Sequence, residues 1–473
     1  MEKRFLSFDN ATGGLADSSV LGPRNSFAEG VGVDIHSKPG IVTVKQRLKK
    51  DSGTTITELC RYAVKASDGN SYWFSSSSGK VWRRTSAGTW SLLFTNANGF
   101  CVGAGEFDDY VYYASSGKLG RYGPLSGTPS NTDSWATLSD CIYHPMVVQG
   151  VYLVIGNART FATVSDAEVF TSAGTPDITF ASLPRVQRIR TLSKFGGDVL
   201  AGTFTTDDHT RAMLIRWDTV APTFLADPPD IPETLIQAVI SKGFFAYVMA
   251  GEFGQVYYYD GLNCIPFKKI QGTYTKTGYS RINPAAVGDF EGYSMFGVSQ
   301  GGGNPALEGI YSLGHKDKNY PVALTLDYLI STKKSSDIEI GCLLMIGKDI
   351  FASWKDGSSY GVDVIDWDNK FDEAYFKTLV ILGNRSKSKV FKNYVVSYKA
   401  KPSGTDFNLA AYKNYGDAGT ALTLSDKTAS NKMIKYKEIV AGALQLKVAF
   451  TVSVNSAPEM DALYCEFVEE SIL

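Results

Sequence analysis

Between residues about 56 and 384 one pattern of strands recurs, and it constrains the fold more than any other feature. An apolar β-run leads to a Gly-containing turn, then an aromatic-rich β-run, then a polar connection. Tyr72, Trp73 and Phe74 are followed by Gly79, Lys80, Val81 and Trp82. Tyr110, Val111, Tyr112 and Tyr113 are followed by Gly117, Lys118 and Leu119, and Phe245, Ala246, Tyr247 and Val248 by Gly254 and then Tyr257, Tyr258 and Tyr259. Tyr293 and Phe296, with a longer turn, lead to Gly309, Ile310 and Tyr311. Units open near Ile56, Gly99, Tyr143, Gln187, Leu235, Arg281 and Asp337, a mean period of roughly 47 residues, about one four-stranded propeller blade. The expected fold is all-β, a six- or seven-bladed β-propeller followed by a small antiparallel β-sandwich. Such a propeller is a platform, so function has to be read from what is attached to it.

A chain of 473 residues exceeds one core and calls for two or three domains. The N-terminal part, residues 1–50, reads as an arm. Its polar, Gly- and Ser-rich stretch over 7–26 is too poor in apolar residues to fold alone. Val31 to Ile35 and Ile41 to Val44 then read as short strands, joined by a turn at Ser37, Lys38, Pro39 and Gly40. The second of these, extended to Leu48, is expected to pair with the last blade and close the ring, which removes an open sheet edge. Residues 51–384 hold the repeats; Thr234 to Lys242 fits either a short helix or a strand. Residues 385–473 change character. Lysines crowd its start at Lys387, Lys389, Lys392, Lys399 and Lys401. Leu444, Leu446, Val448, Phe450, Val452 and Val454 alternate with smaller or polar residues, as a strand with one buried face does. Phe407, Leu409 and Ala411 give a shorter strand, and Met460 to Val468 a last one after Pro458.

Composition excludes several function classes. A net charge of −1 does not provide the broad basic surface of a nucleic-acid binder. No stretch approaches the roughly 18 apolar residues of a membrane span, and Met1 to Phe5 lack the apolar core of a signal peptide. Cys60, Cys101, Cys141, Cys264, Cys342 and Cys465 stand singly, with no CxxC pair, and are expected as buried free thiols. His36, His144, His209 and His315 are also isolated, so no histidine metal site is expected.

Several groups of residues carry candidate chemistry. Ser75 through Trp82 approximates the Asp-box, S-x-D-x-G-x-x-W, of sialidase-like propellers, with Ser77 at the Asp position; Ala250 through Tyr257 is a looser copy. In that family the box braces a hairpin remote from catalysis. Arg185, Arg188 and Arg190 have the chemistry to bind an anion or a sugar carboxylate, with Arg188 and Arg190 on one strand face; a solvated blade edge is the simpler reading. Asp363, Asp366, Asp368 and Asp372 with Asn369 form an acidic cluster, but no Gly interrupts it as in a calcium loop, so it reads as a solvated connection. Asp108, Asp109, Glu252 and Glu291 are equal candidates for paired carboxylates of glycoside hydrolysis. There is no G-x-S-x-G elbow, and Gly301, Gly302 and Gly303 lack the Lys of a phosphate loop. No catalytic, cofactor-binding or metal-ligating residues are therefore assigned, and no enzymatic activity is expected.

Two stretches resemble virion structural proteins of tailed bacteriophages, of the propeller-bearing tail, nozzle or neck kind. Gly13, Gly14 and Leu15, through Asn25, Ser26 and Phe27, to Val33, Asp34, Ile35, Lys38, Pro39 and Gly40 resemble the opening that precedes such propellers. Phe391 through Thr405 resembles the start of their terminal sandwich. The resemblance implies a structural subunit of the particle, in the tail or at the head–tail junction, and a rigid docking platform for other virion proteins. It implies a symmetric ring of copies, localisation to the virion and synthesis in the host cytoplasm. The arm is then expected to be mobile until a neighbouring subunit orders it. Carbohydrate binding in host adsorption, with a host glycan as partner, is a second expectation, and a glycan-cleaving propeller a third.

Overall fold

The computed structural model describes residues 3–470 apart from 10–11, 19, 24, 39, 173–182, 208–209, 221–227, 230, 271–278, 302–306, 316–320, 333–337, 383–387, 414–419, 422–424, 430–431 and 436–437. Pro39, His209, Gly302, Gly303, Asp337 and Lys387, all named above, thus lie outside the described residues. Every named element among the described residues is a β-strand.

Seven antiparallel sheets follow one another along the chain, the first five of them simple meanders. Their innermost strands begin at Cys60–Lys65, Gly103–Phe107, Met146–Gln149, Gln187–Phe195, Ile236–Ser241, Val287–Phe290 and Ile338–Ile346. Each innermost strand neighbours the next, and the seventh neighbours the first, so the sheets form a closed ring of seven blades. In the sixth, Tyr279–Arg281 also pairs with the strand Tyr293–Gly301 that flanks Val287–Phe290.

Burial within each blade explains why the repeats were visible. Second strands such as Ser71–Ser75 and Ala246–Ala250 are buried at every position, because neighbouring blades cover both faces. They therefore read as unbroken apolar and aromatic runs instead of alternating ones. Outer strands such as Ser130–Thr137 face solvent and are polar. Inner strands need small residues where blades converge: a Cβ on Gly103 would sit 1.7 Å from the His144 carbonyl oxygen of the next blade. Side chains also bond blade to blade. The Cys60 amide donates to Ser353 Oγ at 3.0 Å, and the Ile340 amide to Ser299 Oγ at 2.8 Å.

The ring is closed by Gln46–Lys50, which is the outer strand of the seventh blade and pairs Leu48 with Ile365. Residues from before the repeats thus complete a sheet built near residue 360, as the edge argument required.

The sandwich differs from the sequence expectation of a separate unit over 385–473 and a mobile stretch over 7–26. One of its sheets orders Lys3–Asp9, Glu459–Glu470, Ser388–Ala400, Lys432–Lys435 and Ser425–Ala429. The other orders Gly14–Leu15, Ser26–Val31, Tyr375–Thr378, Leu444–Thr451, Asp406–Lys413 and Thr420–Ala421. The stretch read as an arm is held within its own chain: Lys3 pairs with Val468, and Val31 with Tyr375. Few apolar residues suffice there, because Phe8, Leu15 and Phe27 are all buried. Phe8 stacks on Phe376 at 5.1 Å, and Phe407 meets Phe450 edge-on at 5.6 Å. The alternation read at Leu444 to Phe450 faces this core; Val454 lies beyond the strand and is exposed. The same core runs on through Val31 and Val33 into the sixth blade at Leu313, Leu324 and Leu326 and the fifth at Tyr247 and Met249. Thr234 to Lys242 resolves as the strand Ile236–Ser241.

Candidate functional site

Four inner strands carry a register shift near their start, those of the first, fourth, fifth and seventh blades, and in three of them a single extra residue is left over. In the first blade Cys60 pairs with Ser75 and Tyr62 with Phe74, leaving Arg61 as the extra residue. In the fourth, Ile189 pairs with Thr203 and Thr191 with Gly202, leaving Arg190. In the fifth, Ile236 pairs with Ala250 and Ala238 with Met249, leaving Gln237. A bulge re-aims a side chain, and these three line one cavity of about 260 Å³ at the channel end where the inner strands begin, together with Tyr143, Glu252, Ser280, Arg281 and Asn283.

Arg190 is only 8% exposed. Its guanidinium lies 4.6 Å from the centre of the Tyr143 ring, and its Nε donates a long hydrogen bond of 3.4 Å to the Gln237 carbonyl. Burial pushes its pKa down, and the positive charges of Arg281 and Arg61 push the same way. Arg61 is bridged to Glu339 of the seventh blade at 3.3 Å. Gln237 is fully engaged: Nε2 donates to the carbonyls of Gly251 and Ser280, and Oε1 accepts from the Ile282 amide. Asn283 Nδ2 donates to the Ile340 carbonyl at 2.6 Å. Arg61 Nε and Ser280 Oγ are buried without a hydrogen-bond partner among the described residues. Guanidinium groups fixed by an aromatic face and by backbone bonds are equipped to hold an anion.

A second cavity of about 470 Å³ lies where the sandwich meets the sixth and seventh blades. Lys45 sits beside it, 3.4 Å from Asp34 and 3.5 Å from Asp327. Burial alone would raise the Asp34 carboxyl, but Lys45 and the hydrogen bonds from Ser37 and His36 outweigh it and hold the pKa well below the carboxylate range. These charges answer one another and tie the two parts of the molecule together.

The opposite end of the propeller is formed by the turns that leave the inner and third strands. Gly196 and Gly243, in the turns of the fourth and fifth blades, lie side by side there. Apolar residues stand exposed at these tips over three successive blades: Val151 and Val169 in the third, Val220 (84%) in the fourth, Phe244 (88%) and Leu262 (74%) in the fifth.

The sequence candidates are distributed as follows. Arg185, Arg188 and Arg190 do not act together: Arg188 donates to the carbonyls of Arg185 and Gln187, while the bulge sends Arg190 inward, away from any solvated edge. Of the carboxylates, Glu252 lines the channel mouth, whereas Asp108 and Asp109 form a turn at the far end and Glu291 lines the second cavity. The acidic cluster is no loose connection. Asp363 and Asp366 lie on the strand Ser359–Lys370; Asp363 accepts from the Ser331 amide and hydroxyl, and Asp366 from Arg47 and Asn369. Among the described residues no group of three His, Cys, Asp or Glu is arranged to hold a metal ion. Four of the cysteines on or beside blades and Cys465 of the sandwich are buried free thiols, with Cys264 half-buried.

The box-like turn at Ser75 to Trp82 is a brace. The hydroxyls of Ser77 and Ser78 donate to Glu58 at 2.7 Å, Ser75 donates to it as well, and Lys80 pairs with it at 2.8 Å. Glu58 thus supplies the carboxylate that Ser77 lacks. Gly79 holds φ at +76°, a conformation costly for other residues.

The fold is therefore that of an all-β propeller protein, seven blades joined to a two-sheet sandwich. No family model matches the chain, and no curated protein matches it. Among solved structures it is similar to the extracellular domain of a one component system from B. thetaiotaomicron, at 11% identity and a TM-score of 0.46 over 84% of this chain; the chain spans about half, 48%, of that one. It is also similar to YCF48 bound to D1 peptide, at 9% identity and a TM-score of 0.39, covering 68% of this chain and 94% of that one. A catalytically inactive virginiamycin B lyase from Staphylococcus aureus aligns at 12% identity and a TM-score of 0.35, covering 63% and 96%. These likenesses concern fold alone.

Proposed function

We propose that this chain is a non-enzymatic structural subunit of a bacteriophage particle, in the tail or at the head–tail junction, where it serves as a rigid docking platform for neighbouring virion proteins and copies of itself. The observation that carries the reading is the exposed apolar row Val151, Val169, Val220, Phe244 and Leu262 on one end of a stiff ring. Exposed apolar groups clustered on one face mark an interaction surface. The body behind them suits a load-bearing part, since the sandwich and the fifth and sixth blades share one core. The resemblance of the stretches around Gly13 to Gly40 and Phe391 to Thr405 to tail, nozzle and neck proteins supports the virion setting.

The test is incorporation. Phe244→Asp with Leu262→Asp changes only exposed side chains, so the melting temperature should stay within a degree or two of the parent, surface substitutions being worth about 0.5 kcal/mol or less. Particles assembled in the presence of this variant should lack it. Incorporation at the parental level would refute the docking face.

A further inference from the structure

We propose that the channel mouth is a binding site for a small hydroxylated carboxylate, a hydroxy acid or sugar acid, whose acid group lies against Arg190 and Arg61. This site is independent of the docking face at the other end of the propeller.

Charge is the first argument. Arg61, Arg190 and Arg281 converge on the cavity; among the described residues Arg61 engages Glu339, and Glu252 lies at the rim. Arg190 forms no ion pair among the described residues, although it is nine-tenths buried. Burying a charge without a partner is expensive, and its two arginine neighbours add to that cost. A fold keeps such a group where something outside the chain completes it.

Geometry is the second. The guanidinium lies over the Tyr143 ring, which fixes its plane. A fixed planar fork matches a carboxylate through two parallel hydrogen bonds. Arg61 and Ser280 line the same cavity, and Arg61 Nε and Ser280 Oγ are buried without a hydrogen-bond partner among the described residues. Together they offer donors to the acid group and a hydroxyl to its substituent.

Selectivity is the third. Glu252 is exposed at the rim. It repels a multiply charged anion such as phosphate and accepts hydrogen bonds from hydroxyl groups beside a single carboxylate. The volume of about 260 Å³ suits a few carbons or one sugar ring, since drug-sized ligands take roughly 300–1,000 Å³.

The experiment titrates the full chain with sodium glucuronate, glucose and inorganic phosphate, following heat and melting temperature. Glucuronate should bind saturably and raise the melting temperature; glucose should not, and phosphate should bind more weakly. Arg190→Met should abolish glucuronate binding, and Arg190→Lys, which loses the fork, should weaken it about tenfold. Ser280→Ala, which removes a hydroxyl without a partner, should leave the fold unchanged and weaken glucuronate binding too. Without ligand, Arg190→Met should melt no lower than the parent, because it removes an uncompensated charge. A lower melting temperature would mark Arg190 as purely structural and overturn the proposal. So would an absence of saturable glucuronate binding, phosphate binding more tightly than glucuronate, or glucuronate binding unchanged in Arg190→Met and Ser280→Ala.

Discussion

Glu58 illustrates how one side chain stands in for another. The Ser77 position of the box-like turn lacks a carboxylate, and a residue from the strand's approach provides it. Burial alone would raise the Glu58 carboxyl; hydrogen bonds from Lys80, Ser75, Ser78 and Ser77 outweigh it and bring the pKa down to about 2 from an ordinary 4.5. A carboxyl that titrates lower in the fold than in the unfolded chain contributes stability that is complete above about pH 4.5 and vanishes as pH falls through about 2. Glu58→Gln should therefore cost about 1 kcal/mol near neutral pH and flatten the decline between those two pH values. Denaturant melts at a series of pH values would read both effects, and an unchanged slope would remove Glu58 from that role. At this scale the sequence was only partly legible. The turn could be recognised from Ser75, Gly79 and Trp82, but its carboxylate partner lies seventeen residues upstream of Ser75. Arg190 was singled out for anion chemistry, yet strict alternation grouped it with Arg188. A bulge changes the face of a residue without any residue-type signature, so Arg61, Arg190 and Gln237 could not be seen as neighbours.

Strands were the most legible level. Fully covered second strands leave apolar runs, and recurring Gly turns separate them, so the period of the ring was visible before any pairing was known. The ring-closing strand was anticipated too, although its paired part is Gln46–Lys50 and Val42 instead bridges to Met460 of the sandwich. Leu48 is the buried anchor of that closure, packed in the core that holds Trp354 and Ile365. Leu48→Ala should cost roughly 2–4 kcal/mol, the usual price of a large-to-small change in a core. A chemical denaturation curve shifted by less than about 0.5 kcal/mol would mean that the closing strand contributes little. What the strand pattern concealed was the partnership of Lys3–Asp9 and Ser26–Val31 with strands more than three hundred residues away. Short, polar-flanked segments carry too few apolar residues to announce a core, and their burial depends on faces supplied from elsewhere.

For the whole molecule, the continuous core from sandwich to fifth and sixth blades sets how it unfolds. Phe450 is buried against Phe376 and Phe407. Phe450→Asp places an unpaired charge there, at a cost of several kcal/mol. Calorimetry should show the sandwich and these blades destabilised in one transition; an early melt of the sandwich alone, with the propeller transition unmoved, would separate them. The ring closure has a further consequence in time. Arg47 and Asp366, which pair across the seventh blade, are 319 residues apart. During synthesis the closing strand leaves the ribosome long before its partner exists, so it must wait, unpaired, through the making of six blades. A chain stopped anywhere before residue 359 therefore carries an open ring and an idle strand, and only a chain that has been read past the seventh blade can lock.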